Sequence, residues 1–174
     1  NIRSNMDATF TPRLLTERGL QMGAEFRYLT DGSEGQLQVE YLPDDNEVNE
    51  NRQLIAFRHQ TLFDNGWRNL IDMRDVSDNA YFEDLGGSLS ISSITHLNRS
   101  LQFDYFGDTW SVTARAQDYQ TIDAAIAPTD EPYRRLPQVS VSAYWPDSPL
   151  GLEYRFDSEI VLFDRDTGVT GWRV

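Results

Sequence analysis

The feature that most constrains this chain is an alternation of apolar and polar residues, repeated in segments of about ten residues. In the first segment, Met6, Ala8 and Phe10 alternate with Asp7 and Thr9. Successive side chains of a β-strand point to opposite faces of a sheet, so a period of two predicts strands with one apolar and one polar face. Such segments lie near residues 6–15, 20–28, 37–41, 52–61, 67–74, 89–95, 101–106, 110–117, 138–145 and 152–162.

The segments between these predicted strands are rich in turn-forming residues. Asp64-Asn65-Gly66 is a strong hairpin signal, and no segment has the periodicity of a long helix. Residues 121–127 are predicted to form a short helical turn at most. We therefore predict an all-β fold, an antiparallel meander of about ten strands that forms one unit over residues 1–174.

Composition excludes several classes of function. The net charge of −13 argues against binding to nucleic acid, and it disfavours simple docking on an anionic membrane surface. The chain has no cysteine, which excludes disulfides, thiol catalysis and cysteine-bound metals. Its apolar runs are only a few residues long, whereas a transmembrane helix needs about 20 residues and a membrane-spanning strand about ten.

Two architectures fit the alternation. In a soluble β-sandwich the apolar faces pack on a second sheet, and in an outer-membrane β-barrel they meet lipid while the polar faces line the lumen. The polar positions carry charges of both signs, such as Arg68 and Asp72, which suit a hydrated lumen but also a solvated outer surface.

The lengths of the predicted connections also favour a barrel. Short connections at Asp31–Gly35 and Asp64–Gly66 alternate with longer ones at Pro43–Asn51 and Ser77–Gly87. Outer-membrane barrels have short turns at the periplasmic end and long loops at the outer end. The connection at Thr16–Gly19 breaks this alternation, and we count the proline-containing connection after Tyr119 as a second exception.

Several motifs of the chain resemble those of one known family. Arg3-Ser4 departs from the family pattern, which has Ala-Pro there. The matching motifs are Asn1-Ile2 with Asn5-Met6-Asp7-Ala8-Thr9-Phe10-Thr11-Pro12-Arg13, Arg18-Gly19, Gly23-Ala24-Glu25-Phe26-Arg27-Tyr28-Leu29, Tyr41-Leu42-Pro43, Asp75-Val76-Ser77-Asp78 with Tyr81-Phe82 and Asp84, and Tyr133-Arg134-Arg135-Leu136-Pro137-Gln138. In this order they resemble the motifs of the LptD family.

The resemblance implies a section of a large β-barrel in the outer membrane of a Gram-negative bacterium, where the family inserts lipopolysaccharide without enzymatic chemistry. The partners that it implies are lipopolysaccharide, the outer-membrane lipoprotein LptE as a plug, a periplasmic Lpt bridge and outer-membrane lipid. It also implies a periplasmic jellyroll and gate strands, neither of which we expect within residues 1–174. Because the chain opens on Asn1 without a signal peptide, we expect a mature fragment or an excised piece.

The barrel hypothesis sorts the candidate functional residues into two sets, and Trp67, Trp110 and Trp145 belong to an expected aromatic girdle. The residues predicted to face the lumen are Glu25, Arg27, Arg68, Asp72, Arg74, Arg115, Gln117, Glu153 and Arg155. The residues predicted to face lipid are Phe26, Tyr28, Trp67, Trp110, Val141, Trp145 and Phe156.

Signals for catalysis or metal binding are weak. His59 and His96 lie far apart and outside any metal-binding spacing, and the chain has no GxSxG nucleophile motif. Asp44 and Asp45 resemble part of a Ca²⁺ loop, but without the required Gly and Glu, so we expect them to be solvated. We therefore predict no cofactor, metal or catalytic residue. A soluble secreted carbohydrate-binding module is the alternative function, and a lipid hydrolase is a weaker one.

Overall fold

The computed structural model describes residues 3–86, 94–146 and 151–174, and within these ranges ten strands form one antiparallel sheet. Each strand pairs with the next one in the sequence, and the sheet does not close on itself. The predicted meander is therefore confirmed. The elements are β1 (Met6–Leu15), β2 (Gly19–Leu29), β3 (Ser33–Asp45), β4 (Glu50–Leu62), β5 (Trp67–Val76), α1 (Tyr81–Leu85), β6 (His96–Phe106), β7 (Trp110–Thr121), β8 (Arg134–Trp145), β9 (Tyr154–Asp164) and β10 (Gly171–Arg173).

The register between neighbouring strands keeps like residues together on each face. Phe26 lies opposite Ala8 and Leu37, while Glu25 lies opposite Thr9 and Gln38. We call the first side the apolar face and the second the polar face. The same separation continues to the far strands, where Val141 pairs with Val112 and Ser158 on the apolar face.

The strand count agrees with the prediction, but two of the strands differ. Residues 89–93 of the predicted sixth strand lie outside the described residues, and Ile94 and Thr95 precede β6 without belonging to a strand. The strand predicted at 101–106 begins earlier, at His96. The tenth strand is β10, which pairs with β9 over three residues and is too short to show a periodicity.

The connections lie at two ends of the sheet. The end that holds the longest connection, between β5 and β6, is the long-connection end, and the opposite end is the short-connection end. The described residues at the long-connection end are 16–18, 46–49, 77–86, 94–95, 122–133 and 165–170. Those at the short-connection end are 30–32, 63–66, 107–109, 146 and 151–153. The connection after Tyr119, predicted to be an exception, therefore lies at the long-connection end and follows the expected alternation.

The long loop predicted at Pro43–Asn51 is wrong. β3 extends to Asp45 and β4 begins at Glu50, so only a tight turn remains. Asp44 and Asn49 adopt positive φ angles of 46° and 57°, which Asp and Asn tolerate better than most residues. The acidic, Asn-rich composition that suggested a loop instead supplies the residues that this turn requires. By contrast, the hairpin predicted at Gly66 is confirmed, with φ of 83°.

α1 was not predicted from the sequence, because it is too short to show a helical period. Among the described residues, no helix is long and apolar enough to cross a membrane. α1 lies on the polar face at the long-connection end, where Tyr81 and Leu85 are buried. They belong to a cluster of buried apolar residues formed by Leu42, Leu54, Val76, Tyr81, Leu85, Leu97 and Ile122.

Candidate functional site

The candidate site is the polar face, where side chains of neighbouring strands bind one another. Both nitrogens of Arg27 that face Asp7 donate hydrogen bonds of 2.9 Å to its carboxylate. The Arg115 guanidinium donates to Gln102 at 2.8 Å, and Gln117 donates to Asn98 at 2.8 Å. Cross-strand pairs of this kind stabilise a sheet, so the polar face is an organised hydrogen-bonded layer.

The residues predicted to face a lumen share this face, with one difference. Pairing across the sheet places Glu25, Arg27, Arg68, Asp72, Arg74, Arg115, Gln117 and Arg155 together on it. Glu153 instead lies in the connection that precedes β9. Within the strands, the alternation was therefore sufficient to separate these residues from the apolar ones.

At the short-connection end, the polar face contains a buried carboxylate, that of Asp104, with an exposed fraction of 1%. Arg68 donates to it at 2.7 and 3.0 Å, and Thr113 donates at 2.7 Å. Gln102, on the same strand, donates to both carboxylate oxygens. We call this group the open end, because the side chains that donate to Asp104 all come from strands of the sheet and not from a connection.

At the long-connection end, Arg52 organises a second group, which we call the docked end. Its guanidinium donates to Asp78 at 2.7 and 2.9 Å and to Asp84 at 2.6 Å. It also contacts Asp45 at 3.3 Å. Since Asp78 and Asp84 lie before and within α1, one buried arginine of β4 holds the 77–86 segment on the sheet.

The prediction that Asp45 is solvated is wrong, because its side chain is completely buried. Arg18 donates to it at 2.8 Å from the β1–β2 turn, and the Glu47 backbone N–H donates to it at 3.0 Å. A buried carboxylate is stable only when it is paired and hydrogen-bonded. Its two arginine partners supply that pairing in place of the Ca²⁺ ion considered from the sequence.

Tyr81 connects α1 to two strands on the polar face. Its hydroxyl donates to Glu40 of β3 at 2.8 Å and accepts from Gln21 of β2 at 3.2 Å. Arg13 of β1 donates to the Leu85 carbonyl at 3.0 Å and so binds the other end of the helix. The 77–86 segment thereby contacts each of the first four strands.

Burial and charge shift the pKa values of two groups in this segment. Burial alone would raise the pKa of Asp78, but the hydrogen bonds from Arg52 and Ser77 outweigh it and hold that pKa below its usual value. Burial, together with the neighbouring carboxylate of Glu40, raises the pKa of the Tyr81 hydroxyl. Docking is therefore compatible with an ionised Asp78 and a neutral Tyr81.

A half-open cavity of about 390 Å³ lies beside α1 on the polar face. Leu54, Ala56 and Phe82 give it an apolar floor, and Gln38 and Arg74 contribute polar groups to its wall. It combines aromatic, amide and guanidinium groups, so it could contact a molecule with both apolar and polar parts.

The apolar face carries all the residues predicted to meet lipid: Phe26, Tyr28, Trp67, Trp110, Val141, Trp145 and Phe156. Trp67, Trp110 and Trp145 stand at the short-connection ends of their strands. Trp110 and Phe156 are each 51% exposed. Single exposed aromatic residues are common on soluble proteins, but a face that carries many of them marks a surface that contacts another molecule or a membrane.

The two histidines lie at separate places and serve local hydrogen bonds. His59 bonds to the Tyr28 hydroxyl and, at 2.8 Å, to Thr61 on the apolar face. His96 begins β6 and contacts Thr95 at 2.9 Å. In the described parts of the chain, no group of three potential metal ligands comes together.

Comparison with known proteins identifies the family. The family model of LptD, described as LPS transport system D, matches residues 50–174, which is most of the chain. The chain belongs to the LptD family. It is 45% identical over 166 residues to the LPS-assembly protein LptD of Nitrosococcus oceani, and the match covers 95% of this chain and 22% of the relative.

Other relatives show the same relation. The LPS-assembly proteins LptD of Aromatoleum aromaticum and Pseudomonas aeruginosa are 41% and 37% identical to it, over 94% and 95% of this chain. These matches cover 20% and 18% of the relatives. The chain thus spans about a fifth of the length of the LptD proteins that it matches.

The docked end explains one of the motifs that carried the resemblance to LptD. In Asp75-Val76-Ser77-Asp78 with Tyr81-Phe82 and Asp84, the side chains of Asp78, Tyr81 and Asp84 bind the sheet. The docking role of this motif was not predicted from the sequence. A signal was present, since Leu42 and Leu54 occupy polar-face positions and so interrupt the alternation.

Proposed function

We propose that this chain is a section of the wall of an outer-membrane β-barrel that inserts lipopolysaccharide into the outer leaflet, and that it has no enzymatic role. One observation carries the proposal. The sheet has a continuous apolar face with exposed aromatic side chains and an opposite face built from paired polar side chains. Membership of the LptD family supports the same function.

The single layer of the sheet argues against a soluble module. A soluble sheet buries its apolar face against another layer of structure. Among the described residues the additional packing lies on the polar face, at α1, while Phe10 and Phe156 on the apolar face are 63% and 51% exposed. Lipid is the environment that suits such a face.

The polar face would line the lumen in this proposal. Its guanidinium, carboxylate and amide groups could contact the saccharide part of passing lipopolysaccharide or an LptE plug. The long-connection end would lie at the cell surface, since the connections 77–95 and 122–133 are there and barrels carry their longer loops outside. A periplasmic Lpt bridge, the jellyroll and the gate strands belong, in this proposal, to other parts of the assembly.

The proposal is tested by placing a carboxylate on each face of the full-length protein. Val141→Asp should reduce membrane insertion, because Val141 lies mid-strand on the apolar face and a carboxylate on the lipid side of a barrel is destabilising. Phe26→Asp should act in the same way. Insertion is measured by membrane fractionation and the heat-dependent gel shift of the folded barrel, and function by lipopolysaccharide at the cell surface.

Ser111→Asp is the matched control. Ser111 lies on the polar face, next to Val112, which is the cross-strand partner of Val141. A carboxylate there would face the hydrated lumen, so insertion should be unchanged. Equal insertion of the Val141→Asp and Ser111→Asp proteins would contradict the proposal.

A further inference from the structure

The apolar face ends in charged residues at the long-connection end of five neighbouring strands. We call this group the charged belt, and its members are Asp75 of β5, Arg99 of β6, Asp118 of β7, Arg134 of β8 and Asp164 of β9. The register places Arg99 opposite Asp118 and Arg134 opposite Asp164. Asp75 shares this face because its partner across the sheet is Ile55.

The belt is a chain of ion pairs of alternating sign. Arg99 lies between two carboxylates: it contacts Asp75, and its Nη1 is 3.5 Å from Asp118. Arg134 reaches Asp164 at 2.8 Å and also Asp166, beyond β9, at 2.6 Å. Each guanidinium is therefore shared between carboxylates of other segments.

The belt is neither buried in protein nor isolated in solvent. The exposed fractions of the Arg99, Asp118 and Asp164 side chains are 31%, 34% and 42%. Charged side chains are costly in hydrocarbon, most of all at the centre of a bilayer. Four aspartates and two arginines on adjacent segments thus mark a level above which the apolar face no longer suits acyl chains.

The opposite boundary of the apolar face consists of aromatic rings. The rings of Trp67 and Tyr105 lie 5.2 Å apart, and those of Tyr105 and Trp110 lie 5.9 Å apart. The same number of residues separates Trp67 from Asp75 as separates Trp110 from Asp118. Eight positions along an extended strand correspond to about 26 Å, or to about 20 Å across a bilayer for a strand tilted by about 40°. It is close to the height of an apolar band in a barrel, about 25 Å.

We propose that the charged belt lies in the lipid headgroup layer at the long-connection end and contacts phosphorylated headgroups there. This inference rests on the proposed membrane function. The Arg99 and Arg134 side chains are 31% and 28% exposed and can donate hydrogen bonds to phosphate oxygens, while the carboxylates can meet the counter-cations of that layer. The charged belt then sets the level at which β5–β9 leave the hydrocarbon.

The experiment measures depth at three positions of the full-length protein in phospholipid vesicles. A genetically encoded fluorescent amino acid replaces Asp118 in the belt, Ala114 in the middle of the apolar face, or Thr113 on the polar face, in separate proteins. Quenching is compared between vesicles that carry a nitroxide on the lipid headgroup and vesicles that carry it near the end of the acyl chain.

We expect headgroup nitroxide to quench position 118 about twofold more than acyl-chain nitroxide, and the reverse at position 114, because the two positions differ by about 13 Å along β7. Position 113 should resist both quenchers. Suppose that position 114 is quenched from the acyl chains. If position 118 is then quenched more strongly by the acyl-chain nitroxide than by the headgroup nitroxide, or by neither, the belt assignment alone is overturned. Absence of quenching at position 114 would overturn the membrane proposal itself.

Discussion

The two ends of the polar face stabilise a buried carboxylate in different ways. Each has a buried carboxylate paired with arginine: Asp45 at the docked end and Asp104 at the open end. At the open end the ligands of Asp104 all come from strands of the sheet. At the docked end Arg52 is shared with Asp78 and Asp84, which come from a connection.

The two ends therefore differ in what stabilises them: strand pairing at the open end, and strand pairing together with a docked connection at the docked end. The open end depends on the register of the sheet, so it should persist whenever the strands are paired. The docked end adds an apolar cluster and a helix that the sheet alone does not require. We therefore expect substitutions at the two ends to act independently, since distant sites without shared partners are usually additive.

The largest effect is expected from Arg52→Ala. This change leaves Asp45 buried with one arginine fewer and releases Asp78, while Asp84 keeps its contact with Arg18 at 3.1 Å. Breaking a buried ion pair costs about 3–5 kcal/mol. Amide hydrogen exchange of the full-length protein in detergent should become much faster over residues 77–86. Arg155→Ala, which removes an exposed pair with Asp157, is the control and should leave that exchange unchanged.

A smaller loss is expected from Asp104→Asn at the open end. It replaces charge-assisted hydrogen bonds from Arg68 by neutral ones, at a cost of about 1.5–3 kcal/mol. Exchange should become faster in β5 and β6 near Arg68 and Asp104 while residues 77–86 keep their protection. Loss of protection at both ends would show that the two groups are coupled, contrary to the comparison.

Tyr81→Phe should weaken docking only modestly. It removes the hydroxyl that binds Glu40 and Gln21 but keeps the buried ring, so about 1 kcal/mol is expected. Exchange over residues 81–86 should increase less than in the Arg52→Ala protein. An effect as large as that of Arg52→Ala would mean that the hydroxyl, and not the arginine, holds the segment.

Acid should release the docked segment through Asp78. Its pKa is lowered by docking, so it stabilises the docked form above the undocked value of about 4, and this contribution is lost as the pH falls through the lowered pKa. Limited pepsin digestion should therefore cut near Phe82 and Leu85 more readily at pH 2.5 than at pH 4.5. Asp78→Asn protein should already be cut at pH 4.5, and a wild-type pattern for this variant would contradict the role of Asp78.

Much of the sheet could be predicted from the sequence because alternation is a direct consequence of strand geometry. Phe26 and Glu25 were placed on opposite faces correctly for that reason. The turn at 46–49 was not predicted, since its acidic composition resembles that of an exposed loop. The burial of Asp45 depends on Arg18 and Arg52, which are brought to it by pairing across three strands.

The docked end could be predicted less well than the open end. Arg68 and Asp104 lie opposite each other on β5 and β6, so a correct register already pairs them. The contacts of Tyr81 with Gln21 and Glu40 join residues that are 60 and 41 positions apart. A short helix without a repeating pattern gives no sequence signal for the surface on which it docks.

The partners of the 77–86 segment bear on the order in which the chain assembles. Arg13, Gln21, Glu40 and Arg52 all precede this segment in the sequence and lie on β1 to β4. Those strands are joined by tight turns, which close much faster than the long connection to β6. The segment can therefore dock on a partly built wall before β6 is added, which would cover the polar face of the first strands early in folding.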